Sequence, residues 1–226
     1  MRDKPPFVRA AGHLGKLDRV RTRQLQTLMS VDDLVQAVFM ELTKLHEATN
    51  TLAFFLSDNG YLWGEHRLVA DKRWPYTESV GVPLLVRWPG HFPSGAVDER
   101  LAANIDVAPT IVQAAGLPSG QDLDGRSLLK PTRRTQLLLE YWSAYGNVPG
   151  WASLRTSSYQ YTEYYMIVGR SRVTFREYYD LSTDPDELVN LLHDGTHAND
   201  PDVGALHAAL VRASSCHGTS GPVACP

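Results

Sequence analysis

The sequence predicts an α/β fold extended by a small C-terminal antiparallel sheet, on three observations. A long stretch carries apolar residues at helical spacing. Two short continuous apolar runs stop abruptly at turn residues. After Pro131 the chain changes character, to Tyr-, Thr-, Val- and Phe-rich segments joined by short polar turns. Its 226 residues suffice for one large domain, with 43% hydrophobic and 21% charged residues and a formal net charge of −3. Acids and bases are interspersed, so no basic patch marks a nucleic-acid footprint. No apolar run approaches the ~18–20 residues that span a bilayer. The first six residues contain no apolar core of a signal peptide, and a chain truncated upstream would leave localisation open.

Each element follows in order. Residues 1–24 are basic and punctuated by Pro and Gly, and read as loop. Leu25, Leu28, Met29, Leu34, Val35, Val38, Phe39, Leu42 and Leu45 form one apolar stripe expected to pack inward, with Ser30 and Asp33 as a candidate capping box. Thr51–Ser57 is continuously apolar, as a strand covered on both faces would be, which favours a parallel sheet. Residues 82–88 form a second short strand with Pro83 near its start. Asn104–Ala115 reads as a helix closed by Gly116. The segments 137–142, 151–154, 159–167 and 173–181 predict an antiparallel meander, and 205–212 a further helix. This divides the chain into 1–130, 131–195 and 196–226. The last stretch holds Cys216 and Cys225, for which a local disulfide and two free thiols both remain open.

Asp58-Asn59-Gly60 ends the first strand, and the residues alone allow two readings. Asn-Gly after an apolar run is a hairpin signal. Alternatively, a carboxylate and an amide oxygen stand at the C-terminal edge of a sheet strand, where open α/β sheets bind ligands. Two adjacent hard oxygen donors suit Ca²⁺ or Mg²⁺. Other constellations fail: His46-Glu47 has Asn50 where a zincin helix needs its second histidine, and Asp184–Glu187 lacks the ligand ladder of an EF-hand.

The ordered set Leu56–Gly60, Gly64-Glu65-His66, Lys72, Tyr76, Val82-Pro83, Pro89-Gly90 and Asp106–Thr110 resembles the second half of sulfatases, members of the alkaline-phosphatase-like superfamily. The resemblance continues through Asp124–Leu128, Leu154–Thr156, Tyr159–Tyr161, Tyr178–Leu181, Asp184-Pro185, Glu187 and Asn190-Leu191. It implies a partial alkaline-phosphatase-like parallel or mixed sheet with helices, plus the small C-terminal sheet. It implies that Asp58 and Asn59 are the last two metal ligands, usually for Ca²⁺, and that Lys72 contacts the substrate sulfate. An ammonium beside a divalent ion can neutralise charge developing on a transferring sulfuryl group. His66 in the same loop is either a pocket residue or a locally bonded loop histidine. Asp106 resembles the family's helix-start aspartate, a cap. Thr77 and Gly81 depart from the family's usual Glu and Arg, in positions that support the site.

The family's nucleophile is a formylglycine made from Cys or Ser in Cys/Ser-x-Pro-x-Arg, after a strand with two adjacent aspartates. Neither Cys216 nor Cys225 fits that motif, and Asp32-Asp33 lies within the helical stripe. The resemblance therefore implies a sulfuric ester hydrolase fragment, a split-gene product or a relic, with a sulfate ester such as a sulfated sugar as the completed enzyme's substrate. Its partners would be an N-terminal half or a second copy. The rival readings are a phosphoesterase or phosphonate hydrolase of the same superfamily, and a non-catalytic protein that binds a partner through its open sheet edge.

Overall fold

The computed structural model describes residues 2–9, 17–131, 134–142, 148–166, 172–220 and 224–225. Elements run α1 (Pro6–Arg9), α2 (Leu17–Lys44), β1 (Ala53–Leu56), β2 (Leu62–Trp63), β3 (Val69–Asp71), α3 (Thr77–Val80), β4 (Leu84–Arg87), α4 (Val107–Ala114), β5 (Leu137–Tyr141), β6 (Trp151–Arg155), β7 (Tyr159–Tyr165), β8 (Val173–Asp180) and α5 (Val203–Ser214). The α/β class holds, and strands β5-β6-β7-β8 form the expected antiparallel meander. Ile167, at the edge of one expected segment, lies outside the described residues.

The meander is covered on both faces. Period-2 alternation sends Tyr164, Trp151 and Tyr179 to one face, where they pack with Leu62 of β2, Leu68 just before β3, and Trp74 and Tyr76 from the loop after β3. The opposite face presents Ala152, Leu154 and Tyr161 to Leu210 and Ala213 of α5. Asp202 caps that helix, its side chain accepting from the Ala205 N–H.

Each face also buries a glutamate held by tyrosines. Glu177 accepts from the hydroxyls of Tyr76 (3.0 Å), Tyr164 (2.6 Å) and Tyr179 (2.7 Å). Glu163 accepts from Tyr161 at 2.6 Å and Tyr165 at 2.9 Å, and from Arg176 Nε at 3.0 Å. Burial drives the Glu177 carboxyl above its ordinary range, against the pull of Lys4 and the three hydroxyls. Burial also works on Glu163, but its hydroxyl and guanidinium donors hold it below the ordinary value. Burial pushes both glutamates up; it prevails at the fully enclosed Glu177, whereas the donors prevail at Glu163, whose partners Arg176 and His207 reach solvent.

Three expectations are corrected. Residues 1–24 are not all loop. α2 begins at Leu17, and residues 3–9 are anchored on the C-terminal sheet, with Val8 fully buried in its core. Lys4 Nζ donates to Tyr179 Oη at 2.6 Å and to the Glu187 carbonyl, and the Asn190 amide donates to Asp3. The stripe of α2 does not pack inward: none of its residues is buried, and Leu25, Met29 and Leu34 are more than half exposed. Arg87 reaches it from β4, its guanidinium 5.1 Å above the Phe39 ring, and donates to the Ala48 carbonyl just beyond the helix. Finally, β1 does not pair in parallel. It pairs antiparallel with β4, Ala53 opposite Arg87 and Leu56 opposite Leu84. Phe55 and Leu56 are exposed rather than covered on both faces. A continuous apolar run reports a strand designed for burial, and cannot report which strand pairs with it.

Asn104–Ala115 folds as expected, a 3-10 turn at Asn104–Asp106 leading into α4, with Gly116 in the left-handed region at φ 66. Asp106 stands at the start of α4 but bonds backward rather than into that helix: as the third residue of the 3-10 turn it accepts from the Ala103 N–H at 2.9 Å, and it does more. It also accepts from the Arg126 N–H at 2.7 Å and from both terminal nitrogens of Arg134 at 2.5 and 2.7 Å. Burial opposes its ionisation, yet Arg134 and the two amides hold its carboxyl below the ordinary range. Cys216 and Cys225 form a disulfide.

Candidate active site

The hairpin reading of Asp58-Asn59-Gly60 does not survive, because β1 pairs with β4 while β2 pairs with β3. The segment after β1 instead lies against α3. The Gly60 N–H donates to the Ser79 carbonyl at 2.9 Å and the Tyr61 N–H to the Glu78 carbonyl at 2.6 Å. A Cβ on Gly60 would stand 2.0 Å from the Glu78 carbonyl oxygen, so the glycine serves close backbone approach rather than a positive-φ turn. This fixes the position of the two residues before it.

Asp58 is exposed and Asn59 half-buried. Lys72, thirteen residues on, reaches back: its Nζ donates to Asn59 Oδ1 at 2.9 Å. Asp71 holds the backbone that carries this lysine. It accepts from the N–H groups of Lys72 (2.7 Å) and Arg73 (3.2 Å), and pairs with the Arg73 guanidinium at 2.8 Å. The Arg73 carbonyl in turn accepts from Trp151 Nε1 at 2.8 Å, tying the Lys72 segment to β6. The structure therefore brings Asn59 and Lys72 together on open surface, next in sequence to the Asp58 carboxylate.

His66 is held elsewhere. Its side chain is 1% exposed, and its ring stacks on Tyr76 with centroids 3.8 Å apart. His66 and Arg67 both adopt positive φ, 51 and 62, within a tight 3-10 turn at Glu65–Arg67. The imidazole faces Glu78, with Nε2 3.6 Å from Oε2, and not the Lys72–Asn59 pair. Beyond Glu78 lies Glu187, fully buried, accepting from the Thr77 N–H at 2.6 Å and from Arg155 at 3.3 Å. Burial pushes the Glu187 carboxyl up to about 7 despite these donors. Glu187 belongs to the family-like pattern in the sequence, but nothing local there marks it as buried; its backbone stands at positive φ, 54.

Asp58 Oδ and Asn59 Oδ1 are both oxygen donors, the type that a hard divalent cation takes. A groove lined by Arg100, Arg134, Gln136, Thr156, Ser157 and Tyr159 includes none of Asp58, Asn59 or Lys72.

Comparison with known proteins gives this geometry a family. The family model described as "Sulfatase" matches residues 3–117, and "N-sulphoglucosamine sulphohydrolase, C-terminal" matches 64–213. Human N-acetylglucosamine-6-sulfatase is 34% identical over 89% of this chain, which spans 42% of that relative's length. A Drosophila melanogaster extracellular sulfatase SULF-1 homolog is 44% identical over 48% of the chain and 10% of its own length. Among solved structures, one of a protein in complex with its substrate D-glucosamine-2-N,6-O-disulfate superposes with a TM-score of 0.69 and 26% identity. That match covers 82% of this chain and 37% of that one. A 2-O GAG sulfatase superposes at 0.66 with 25% identity, covering 80% and 39%. The chain belongs to the sulfatase family.

Proposed function

We propose that this chain supplies the C-terminal portion of a sulfuric ester hydrolase site acting on a sulfated amino sugar. The observation that carries the reading is the bond from Lys72 Nζ to Asn59 Oδ1, a cation on the oxygen next to the Asp58 carboxylate, in a segment matched by the sulfatase model. Asp58 and Asn59 would hold a Ca²⁺ or Mg²⁺ ion, whose charge would stabilise a transferring sulfuryl group. With the ion bound, Asn59 Oδ1 would exchange the Lys72 ammonium for the metal, freeing Lys72 Nζ to bind a sulfate oxygen, and Asp71 would hold the lysine's backbone in place. His66 acts through the loop rather than on substrate, since it is buried beneath Tyr76. The sugar class follows from the N-acetylglucosamine-6-sulfatase relative and the disulfated glucosamine ligand of the structural neighbour.

The nucleophile segment and the remaining metal ligands are expected from an N-terminal half. The exposed stripe of α2 and the exposed Phe55, Leu56 and Leu85 of β1 and β4 provide the apolar surface for it, or for self-association in its absence.

The purified chain is expected to show no turnover of glucosamine 6-sulfate above a metal-only background. Joined to a sulfatase N-terminal portion that carries the paired aspartates and Cys-x-Pro-x-Arg, it should gain turnover, which Lys72→Ala lowers by about a hundredfold or more. Turnover by the chain alone, or an active joined protein indifferent to Lys72→Ala, would contradict the assignment.

A further inference from the structure

We propose that His66, Glu78 and Glu187 form a divalent-metal site of the zinc class, separate from Asp58 and Asn59, that clamps the loop after β2 to α3 and to the segment after β8. The three side chains come from different parts of the chain, and one ligand atom from each lies within 4.8 Å of the others. Neither nitrogen of the buried His66 ring has a hydrogen-bond partner, and Glu78 Oε2 also lacks one. Leaving an imidazole unsatisfied in a nearly dry site is costly, and this ring is aimed at two carboxylates. The 3.6 Å gap between Nε2 and Oε2 is too long for a hydrogen bond, and an ion between them would use both lone pairs.

The donor set selects the metal. One imidazole and two carboxylates suit Zn²⁺, whereas Ca²⁺ seeks six to eight oxygens. A four-coordinate zinc with bonds of about 2.0–2.1 Å needs ligand atoms roughly 3.3 Å apart. Glu78, with its side chain 26% exposed, can rotate to close that distance, and its exposure leaves an entry path. The opposing charge is Arg155, whose Nη1 lies 3.3 Å from Glu187 Oε1. That guanidinium also donates to Thr77 Oγ1 at 2.9 Å and Gln160 Oε1 at 2.8 Å, partners that retain it when Glu187 turns to a metal. Glu187 Oε2 keeps its bond from the Thr77 N–H, which orients the carboxylate as an outer-shell donor orients a ligand.

The test is zinc titration of the chelator-stripped chain by calorimetry, with thermal unfolding in parallel. One zinc per chain is expected, with a rise in melting temperature. Glu78→Gln should weaken binding by about a hundredfold while the metal-free protein stays folded, and His66→Gln should do the same. Asp58→Ala should leave zinc affinity unchanged. Cobalt substitution should give the visible absorption of a four-coordinate ion, lost in Glu78→Gln. Absence of stoichiometric binding, or binding equal in folded Glu78→Gln, would overturn the proposal. The first result would mean that the three side chains hold no metal. The second would place zinc at surface histidines such as His197 or His217.

Discussion

Replacing Lys4 with methionine is expected to cost about 3–5 kcal/mol of folding stability near pH 8, and distinctly less near pH 5. Lys4 is 2% exposed, and its attraction is the largest influence opposing the burial of Glu177. Methionine preserves most of the packed volume but leaves a fully buried carboxylate supported by tyrosine hydroxyls alone. The pH dependence follows from the sign of the shift. The folded-state pKa of Glu177 already lies above its ordinary 4.5, and losing Lys4 raises it further. The folded state then binds more protons than the unfolded one across that interval, so stability is present at low pH and lost as pH rises. Urea midpoints at two pH values measure this directly. Adding Glu177→Gln should recover most of the loss and flatten the pH dependence, because no uncompensated charge remains.

Asp106→Asn is expected to cost a similar amount, about 3–5 kcal/mol, with no such dependence between about pH 5 and 8. The substitution leaves Arg134, 3% exposed, without its counter-charge. It also puts an amide nitrogen where one carboxylate oxygen accepts from Arg134 and a backbone N–H. The folded-state pKa of Asp106 lies below its ordinary 3.8, so its stabilisation is complete above that value and is lost only as pH falls through the lower one. Chemical denaturation with backbone hydrogen exchange would measure the loss and locate it, with residues 103–128 losing protection first. Equal pH profiles for the Lys4 and Asp106 variants would show that burial and ion pairing have been assigned wrongly.

These two anchors also show what sequence could and could not reveal. The meander was legible because alternation along β6, β7 and β8 is a local property, and the short turns fix consecutive pairing. Asp106 was legible as a cap because capping is local, but Arg134, twenty-eight residues away, was not. The Lys4–Tyr179 bond spans 175 residues, and nothing near Lys4 distinguishes it from a solvated lysine at a chain end. The direction of β1 was misread because apolar continuity reports burial and not the partner. The same limit misplaced the α2 stripe, whose pattern is amphipathic whether or not this chain covers it. At the site, Asp58, Asn59 and Lys72 stood out through an ordered family pattern. His66 shared the pattern but lies under Tyr76, because Gly64 and two left-handed residues turn it inward.

Whether Asp58 and Asn59 hold a divalent ion is decided by a calcium titration of the isotopically labelled chain, followed residue by residue by amide NMR shifts. Saturable changes centred on Asp58, Asn59 and Lys72 are expected. Only part of a calcium sphere is present, so the dissociation constant should be about millimolar or weaker. Asp58→Ala should abolish the changes. Shifts confined to acidic residues elsewhere, with 57–61 and 71–73 silent, would contradict it.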